Sequence, residues 1–373
     1  YIGIRDKKVI AHFDEWTTGM GLLYVKDRLP SVGTIFTTHA TCIGRSICGN
    51  GKPLYDYLRG YNGDQMAMEL NMQSKHSLEK AAANAADCFT TVSDITAMEC
   101  EQLLERRPLV TPNGFEQNFV PSKGKFAPAR DAARSNLLNV ASSLTGCKFS
   151  DDTFIVATSG RCEYRNKGID LYLDALARLR DLNVKRQVIA FVMVPAWAKE
   201  PRKDLESALA LRRKQPLADP VITHILNNPT EDPINCRIHE IGFANTKTDR
   251  IKVIYVPSYL NGDDGIFNST YYDLLIGMDA TVFPSYYEPW GYTPLESIAF
   301  GVPTITTTLS GFGQWILTSE DNTFSESGVN VIARGDFNYD EVADRIARSL
   351  EYLVGLDSSD MAIIRSRAMN TAS

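Results

Sequence analysis

Several common signatures are missing from this sequence, and each absence removes a class of function. There is no Cys-x-x-Cys pair; the cysteines, Cys42, Cys48, Cys88, Cys100, Cys147, Cys162 and Cys236, are scattered and number seven. A disulfide framework is therefore not expected, and a reduced, cytoplasmic setting is. His12, His39, His76, His224 and His239 are dispersed and lack zinc-ligand spacing. A basic surplus is lacking too: 39 Lys and Arg stand against 45 Asp and Glu, for a net charge of -6. That argues against nucleic acid as a partner. An anionic ligand would have to be drawn by local cations, because the overall field repels it.

Formal charge is absent from 297–319, but Gly301, Pro303, Gly311 and Gly313 interrupt that run. It reads as a buried strand with loops, not as a membrane span. No signal peptide opens the chain, and "YIGIRDKKVIAHFDEW" has no initiator Met. It starts inside what reads as folded structure, so a longer parent protein is expected. Internal repeats and low-complexity tracts are absent as well.

What is present is an ordinary globular composition over 373 residues, enough for two or three domains. Short apolar strands alternate with amphipathic helices. "VGTIFTTHA", "CFTTV" and "LVTPNG" read as strands, as do "TFIVATSG", "RQVIAFVMVPA", "RIKVIYVP", "ATVFPS" and "VPTITTT". Helices are expected over 71–86, from an N-cap at Ser93 to about Arg106, and at "GIDLYLDALARLRDL", "STYYDLLIGM", "PLESIAFG" and "YDEVADRIARSLEYLVGL". Residues 116–150 read as mixed and polar, with "PSKGKFAPAR" their loosest part, and a domain boundary or linker is placed near there. The pattern implies an α/β fold of two doubly wound, Rossmann-like domains with parallel sheets. The first covers 1–140, the second 141–335 with a helical insertion near 199–240. Helices over 336–373 are expected to pack back on the first domain. Ligands of such sheets bind at the carboxyl ends of strands.

One stretch there, "PSYYEPWGYTPLESIAFGVPTITT", sets Glu288 and Glu296 either side of a turn of Pro, Gly and aromatics. Taken alone, Glu288 would end a strand. Glu296 would complete a capping box with Thr293, with Pro294 at the first helical position. Together they suggest more. Gly291 leaves the backbone bare beside a helix start, where free N–H groups form an anion site. Two carboxylates beside a bound phosphate suit a ligand rich in hydroxyls. "TSGRCEYRNKGID" adds Arg161 and Lys167 just past a strand end, and "FTTHATCIGRS" adds His39 and Arg45. Each cation alone reads as solvated surface charge, but the shared place of all three at strand ends favours a site; for His39 a core histidine and a site residue are equally compatible with the local sequence. No Asp-x-Asp occurs anywhere, so a metal-held diphosphate is not expected. Helix N–H groups with Arg and Lys can do that work instead.

These motifs, with "FTTVSDITAMECEQLL" and "VTPNGF", resemble in order the eukaryotic-type glycogen synthases, a family that also has bacterial members. The E-P-W-G-Y-T-P-x-E block carries the resemblance most specifically. It implies the GT-B fold, two Rossmann-like domains facing across a cleft. It also implies retaining, metal-independent transfer of glucose from UDP-glucose to the non-reducing end of an α-1,4-glucan, with no cofactor. By position Arg45, Arg161 and Lys167 would hold the diphosphate, and His39 would sit against the donor sugar. Glu288 would lie by the reacting carbon, as a nucleophile or as an electrostatic support, and Glu296 would bind the ribose. Tyr271 would stack on the uracil, and Trp290, Gly291, Tyr292 and Thr293 complete the donor side. Three departures stand out: the family's N-terminal glycine-rich loop is absent, the 199–240 insertion is short, and the arginine-rich helix that answers to glucose 6-phosphate has no counterpart. Only Arg365 and Arg367 stand near the end, so a bacterial-type enzyme without that control is expected. A small-acceptor transferase or a non-catalytic glucan- or nucleotide-binding protein are the alternatives, and a homo-oligomer is compatible with either.

Overall fold

The computed structural model describes residues 7–182, 184–212, 215–319 and 323–373. Residues 1–6 of the opening stretch and 213–214 of the insertion lie outside them. The first sheet runs in chain order, all parallel: β1 (Ile10–Asp14), β2 (Gly33–Thr38), β3 (Cys88–Thr91) and β4 (Leu109–Val110). The second sheet is built from β5 (Phe154–Ser159), β6 (Val188–Met193), and, after the antiparallel pair β7 (Ala198–Pro201) and β8 (His224–Leu226), from β9 (Ile251–Val256), β10 (Ala280–Phe283), β11 (Thr304–Thr307) and β12 (Val329–Ile332). Its spatial order is β12-β11-β10-β5-β6-β9, again parallel throughout.

Burial explains why the second sheet reads so plainly. Every residue of β5, β6, β9, β10 and β11 is buried, because helices cover both faces and no polar alternation is needed. One face packs Phe154, Val156 and Ala190 against Leu173, Leu176, Ile346 and Leu350. The other packs Ile155, Ala157, Ile189 and Phe191 against Leu137, Val140 and Leu144. From β5 the chain steps outward through β6 to β9, then returns to the opposite side of β5 with β10. The loops after β5 and β10 therefore part company at the sheet's switch point and leave a crevice.

Four expectations need correcting. Residues 116–150 are not a linker: Lys123–Thr145 is one long helix despite Pro128, it runs through position 140 unbroken, and it belongs to the second sheet's core. Arg130 and Arg134 tie it to the buried Asp279 at 2.7 and 2.9 Å. The helix from Ser93 stops at Leu103. The 199–240 region alternates β7 and β8 with the helices Lys203–Ala210 and Pro233–Ile241, so it is not purely helical. The last two helices, Tyr339–Gly355 and Ser358–Thr371, lie mainly on the second domain: Leu350 joins its core, and Arg365 reaches Asp279 at 3.4 Å. Among the described residues no helix is long and apolar enough to cross a membrane.

The two domains share a buried seam. Ile43, Ile47, Leu54 and Ile95 of the first pack against Tyr286, Tyr287 and Leu309 of the second. Ser93 Oγ donates to the Pro289 carbonyl at 2.5 Å, and Tyr55 Oη to that of Tyr286 at 3.0 Å. The loop after β10 is thus gripped from the opposite domain.

Candidate active site

The crevice is framed by the loop 160–168 after β5 and the loop 284–291 after β10. Their backbones lock together. Asn166 O accepts the amides of Tyr286 and Tyr287 at 2.9 and 3.1 Å. Gly168 caps the following helix at φ 67, and a Cβ there would collide with the Pro284 carbonyl, so this junction needs glycine. At the other loop's end Gly291 has φ 114 and ψ 75 and serves as N-cap of the helix Tyr292–Ala299. No side chain caps that helix, which leaves its first-turn amides to a ligand.

The expected capping box is therefore absent. The helix starts one residue before Thr293, and Glu296 is engaged elsewhere, accepting Tyr272 Oη at 2.9 Å. Burial pushes the Glu296 carboxyl above its usual range, against that hydrogen bond. Trp290 also departs from the donor-side expectation. Its indole is only 5% exposed and packs with Phe312 and Trp315 in the core. What it presents locally is its carbonyl, which accepts Phe312 N at 2.7 Å.

Lys167 and Glu288 meet in an ion pair whose side chains are 16% and 14% exposed. Ser285 Oγ adds a contact to Glu288 at 3.3 Å. Beside them opens a cavity of about 510 Å³ at the ends of β5 and β6, lined by Gly160, Arg161, Met193, Tyr271, Thr293 and Glu296. Tyr271 is held there by Ser159 Oγ at 2.7 Å. Arg161 and Gly291's helix thus border one crevice, and Lys167 lies next to its wall, its Cδ 3.9 Å from where a Cβ on Gly160 would stand.

The first domain contributes from across the cleft. Arg45 rides on the helix Cys42–Gly49, whose N-cap Thr41 accepts Gly44 N at 3.0 Å. Its guanidinium lies 3.3 Å from Glu163 and 5.7 Å above the Tyr287 ring. Arg161 also reaches Glu163, at 3.0 Å, so one carboxylate gathers cations from both domains. His39, just after β2, donates its amide to Glu15 at 2.9 Å, and its Nε2 lies 2.9 Å from Asp14. Glu15 adopts φ 65 at the end of β1, and burial raises its carboxyl. Tyr292 is half exposed, and its phenol is raised by burial and by Asp14 and Glu296.

Glu163, Glu15, Asp14 and Tyr287 were not among the sequence candidates. Glu163 lies between Arg161 and Lys167 in the same loop, which was a usable signal. Asp14 ends, and Glu15 follows, a strand that the sequence reading left unassigned.

The sequence model of the glycogen synthase family matches residues 3–204 and 204–370. Glycogen [starch] synthase isoform 1 of Saccharomyces cerevisiae is 33% identical over 93% of this chain and 58% of its own length. The human liver glycogen [starch] synthase is 34% identical over 82% of this chain and 52% of its own. The chain thus spans a little over half the length of these relatives. Among solved structures, the catalytic domain of starch synthase IV from Arabidopsis thaliana superposes with a TM-score of 0.58 at 15% identity, covering 98% of this chain and 69% of that one. Sucrose-phosphate synthase from Thermosynechococcus elongatus gives 0.54 at 16%, covering 97% and 68%. The fold is GT-B, and the chain belongs to the glycogen synthase family.

Proposed function

We propose that this protein transfers glucose from UDP-glucose to the non-reducing end of an α-1,4-glucan, with retention and without a metal. The observation that carries the reading is the crevice itself: a bare helix start at Gly291, Lys167 buried against Glu288, and a cavity beside them with Tyr271 on its wall. In this reading the uracil stacks on Tyr271 and the ribose hydroxyls meet Glu296. The diphosphate lies between the helix amides, Arg161, Lys167 and Arg45.

Breaking the bond from the sugar carbon to phosphate oxygen leaves added negative charge on UDP and positive character on the carbon. Lys167 and the helix amides, already in place, stabilise the first without having to reorient, and Arg161 and Arg45 add to them on leaving Glu163. Glu288 and the polar surroundings of His39 stabilise the second. Glu288 already accepts Lys167 and Ser285, and a carboxylate so engaged suits electrostatic support better than attack. The glucan acceptor enters from the first-domain side, past His39 and Glu15. The cysteines are all unpaired, which fits work in a reducing cytoplasm.

Incubation with UDP-glucose and glycogen tests the reading. Glucose incorporation with matching UDP release is expected; incorporation into a small acceptor alone, or neither signal, overturns it. Glu288→Gln sharpens it, because turnover near wild type removes Glu288 from the chemistry.

A further inference from the structure

Beneath the cleft, two carboxylates are buried in the first domain, and they hold different things. Glu79, on the helix Gln73–Ala85, accepts Thr38 Oγ1 at 2.6 Å and Cys42 N at 2.9 Å. Both partners lie in its own domain, either side of His39. Glu99, on the helix Asp94–Leu103, accepts Thr41 Oγ1 and, at 2.7 Å, Tyr287 Oη. Thr41 caps the helix that carries Arg45. Tyr287 precedes Glu288 in the second domain. Both hydroxyls donate to the same oxygen, Oε1.

The surroundings are built to admit this contact. Glu99 and Tyr287 are each 3% exposed. A Cβ at Gly44 would strike the Glu99 carboxylate, so the Arg45 helix must have glycine at that place. Tyr287 is in turn fixed by Asn166 O at its amide, next to Lys167, and its ring supports Arg45. An uncompensated buried carboxylate is costly, so these hydroxyls are its main protein partners and the geometry is held from both sides.

We propose that Glu99 is a positioning residue: by binding Thr41 and Tyr287 through one buried oxygen, it sets Arg45 and Glu288, from opposite domains, in register for a single ligand. The ligand's identity rests on the reading given above. The link does not, because it is made of contacts within this chain.

The test uses Tyr287→Phe, Glu99→Leu, their double variant and Glu99→Gln. Losing the Tyr287 hydrogen bond to this buried carboxyl is expected to lower kcat about tenfold in Tyr287→Phe, and Glu99→Leu, which also loses Thr41, should lower it at least as much. The double variant should be no worse than the poorer single, since both remove the same contact. Glu99→Gln keeps a carbonyl oxygen at the shared position and should restore most of the rate. Hydrogen exchange supplies a readout that local damage would not move. Tyr287→Phe should speed exchange across 41–49 in the first domain, and Glu99→Leu across 285–291 in the second. Exchange confined to the mutated domain, or additive losses in the double variant, would overturn the proposal. Cross-domain exchange in a protein that shows no glucosyl transfer would instead overturn the functional reading and leave the link standing.

Discussion

Lys167 and Arg161 stand on one loop after β5, yet they occupy opposite environments. Lys167 is 16% exposed and pairs with a carboxylate that is itself 14% exposed. Arg161 is 67% exposed and shares Glu163 with Arg45. A desolvated pair is expensive to assemble and rigid once made, and loss of one partner strands the other charge. An exposed pair is worth little and exchanges readily. The loop therefore carries one fixed cation beside Glu288 and one adaptable cation parked on Glu163. Under the proposed function, a diphosphate would take Arg161 and Arg45 from Glu163 at small cost.

The largest effect is expected for Lys167→Ala. Loss of a preorganised donor should cost kcat roughly 2.7–4 kcal/mol in barrier, and urea unfolding should show lower stability because Glu288 loses its partner. Arg161→Ala should instead raise the KM for UDP-glucose about tenfold or less, leave stability within about 0.5 kcal/mol, and make KM less sensitive to salt. Equal damage to kcat and stability from both substitutions would break the comparison.

Gly168→Ala tests whether the loop's anchor or its charges matter more. Steric conflict with Pro284 and the positive φ should cost about 1–3 kcal/mol of stability, read as a lower unfolding midpoint, with both cations retained. A stability unchanged by that substitution would mean the two loops are not locked as described.

A smaller effect concerns pH. Burial pushes the Glu79 carboxyl up to about 7. The folded state thus holds this proton more tightly than the unfolded chain, so the contribution is full below the ordinary carboxylate range and is lost as pH rises through about 7. The stability of the wild type relative to Glu79→Gln should fall between about pH 5 and about pH 8; a difference that rises over that window would contradict the assignment. The least change is expected with glucose 6-phosphate, which should leave the rate unaltered, since Arg365 is committed to Asp279. A several-fold rise would refute that.

How much of this could be read beforehand differs by element. Strands β5, β6, β9, β10 and β11 were legible because burial on both faces makes them continuous apolar runs. The helix Lys123–Thr145 was not, since Pro128, a polar start and the two arginines Arg130 and Arg134 hide its face of Ala133, Leu137, Val140 and Leu144. The cations and carboxylates of the crevice were visible as residues at strand ends. What they touch was not. Glu99 and Tyr287 are 188 positions apart, and Arg45 and Glu163 are 118 apart; no local pattern encodes such meetings. Thr293 shows the converse failure, where a well-formed local motif yielded to the glycine that starts the helix.

Asp279 couples the far side of the molecule to the crevice. Its carboxylate draws Arg130 and Arg134 from one helix and Arg365 from the last, and also takes the amide of Ile155. It thereby rivets the chain's tail to the feet of β5 and β10, the strands whose tips hold the crevice open. Clipping the final helix should loosen those tips at a distance, visible as faster amide exchange along β5 before any unfolding is detected.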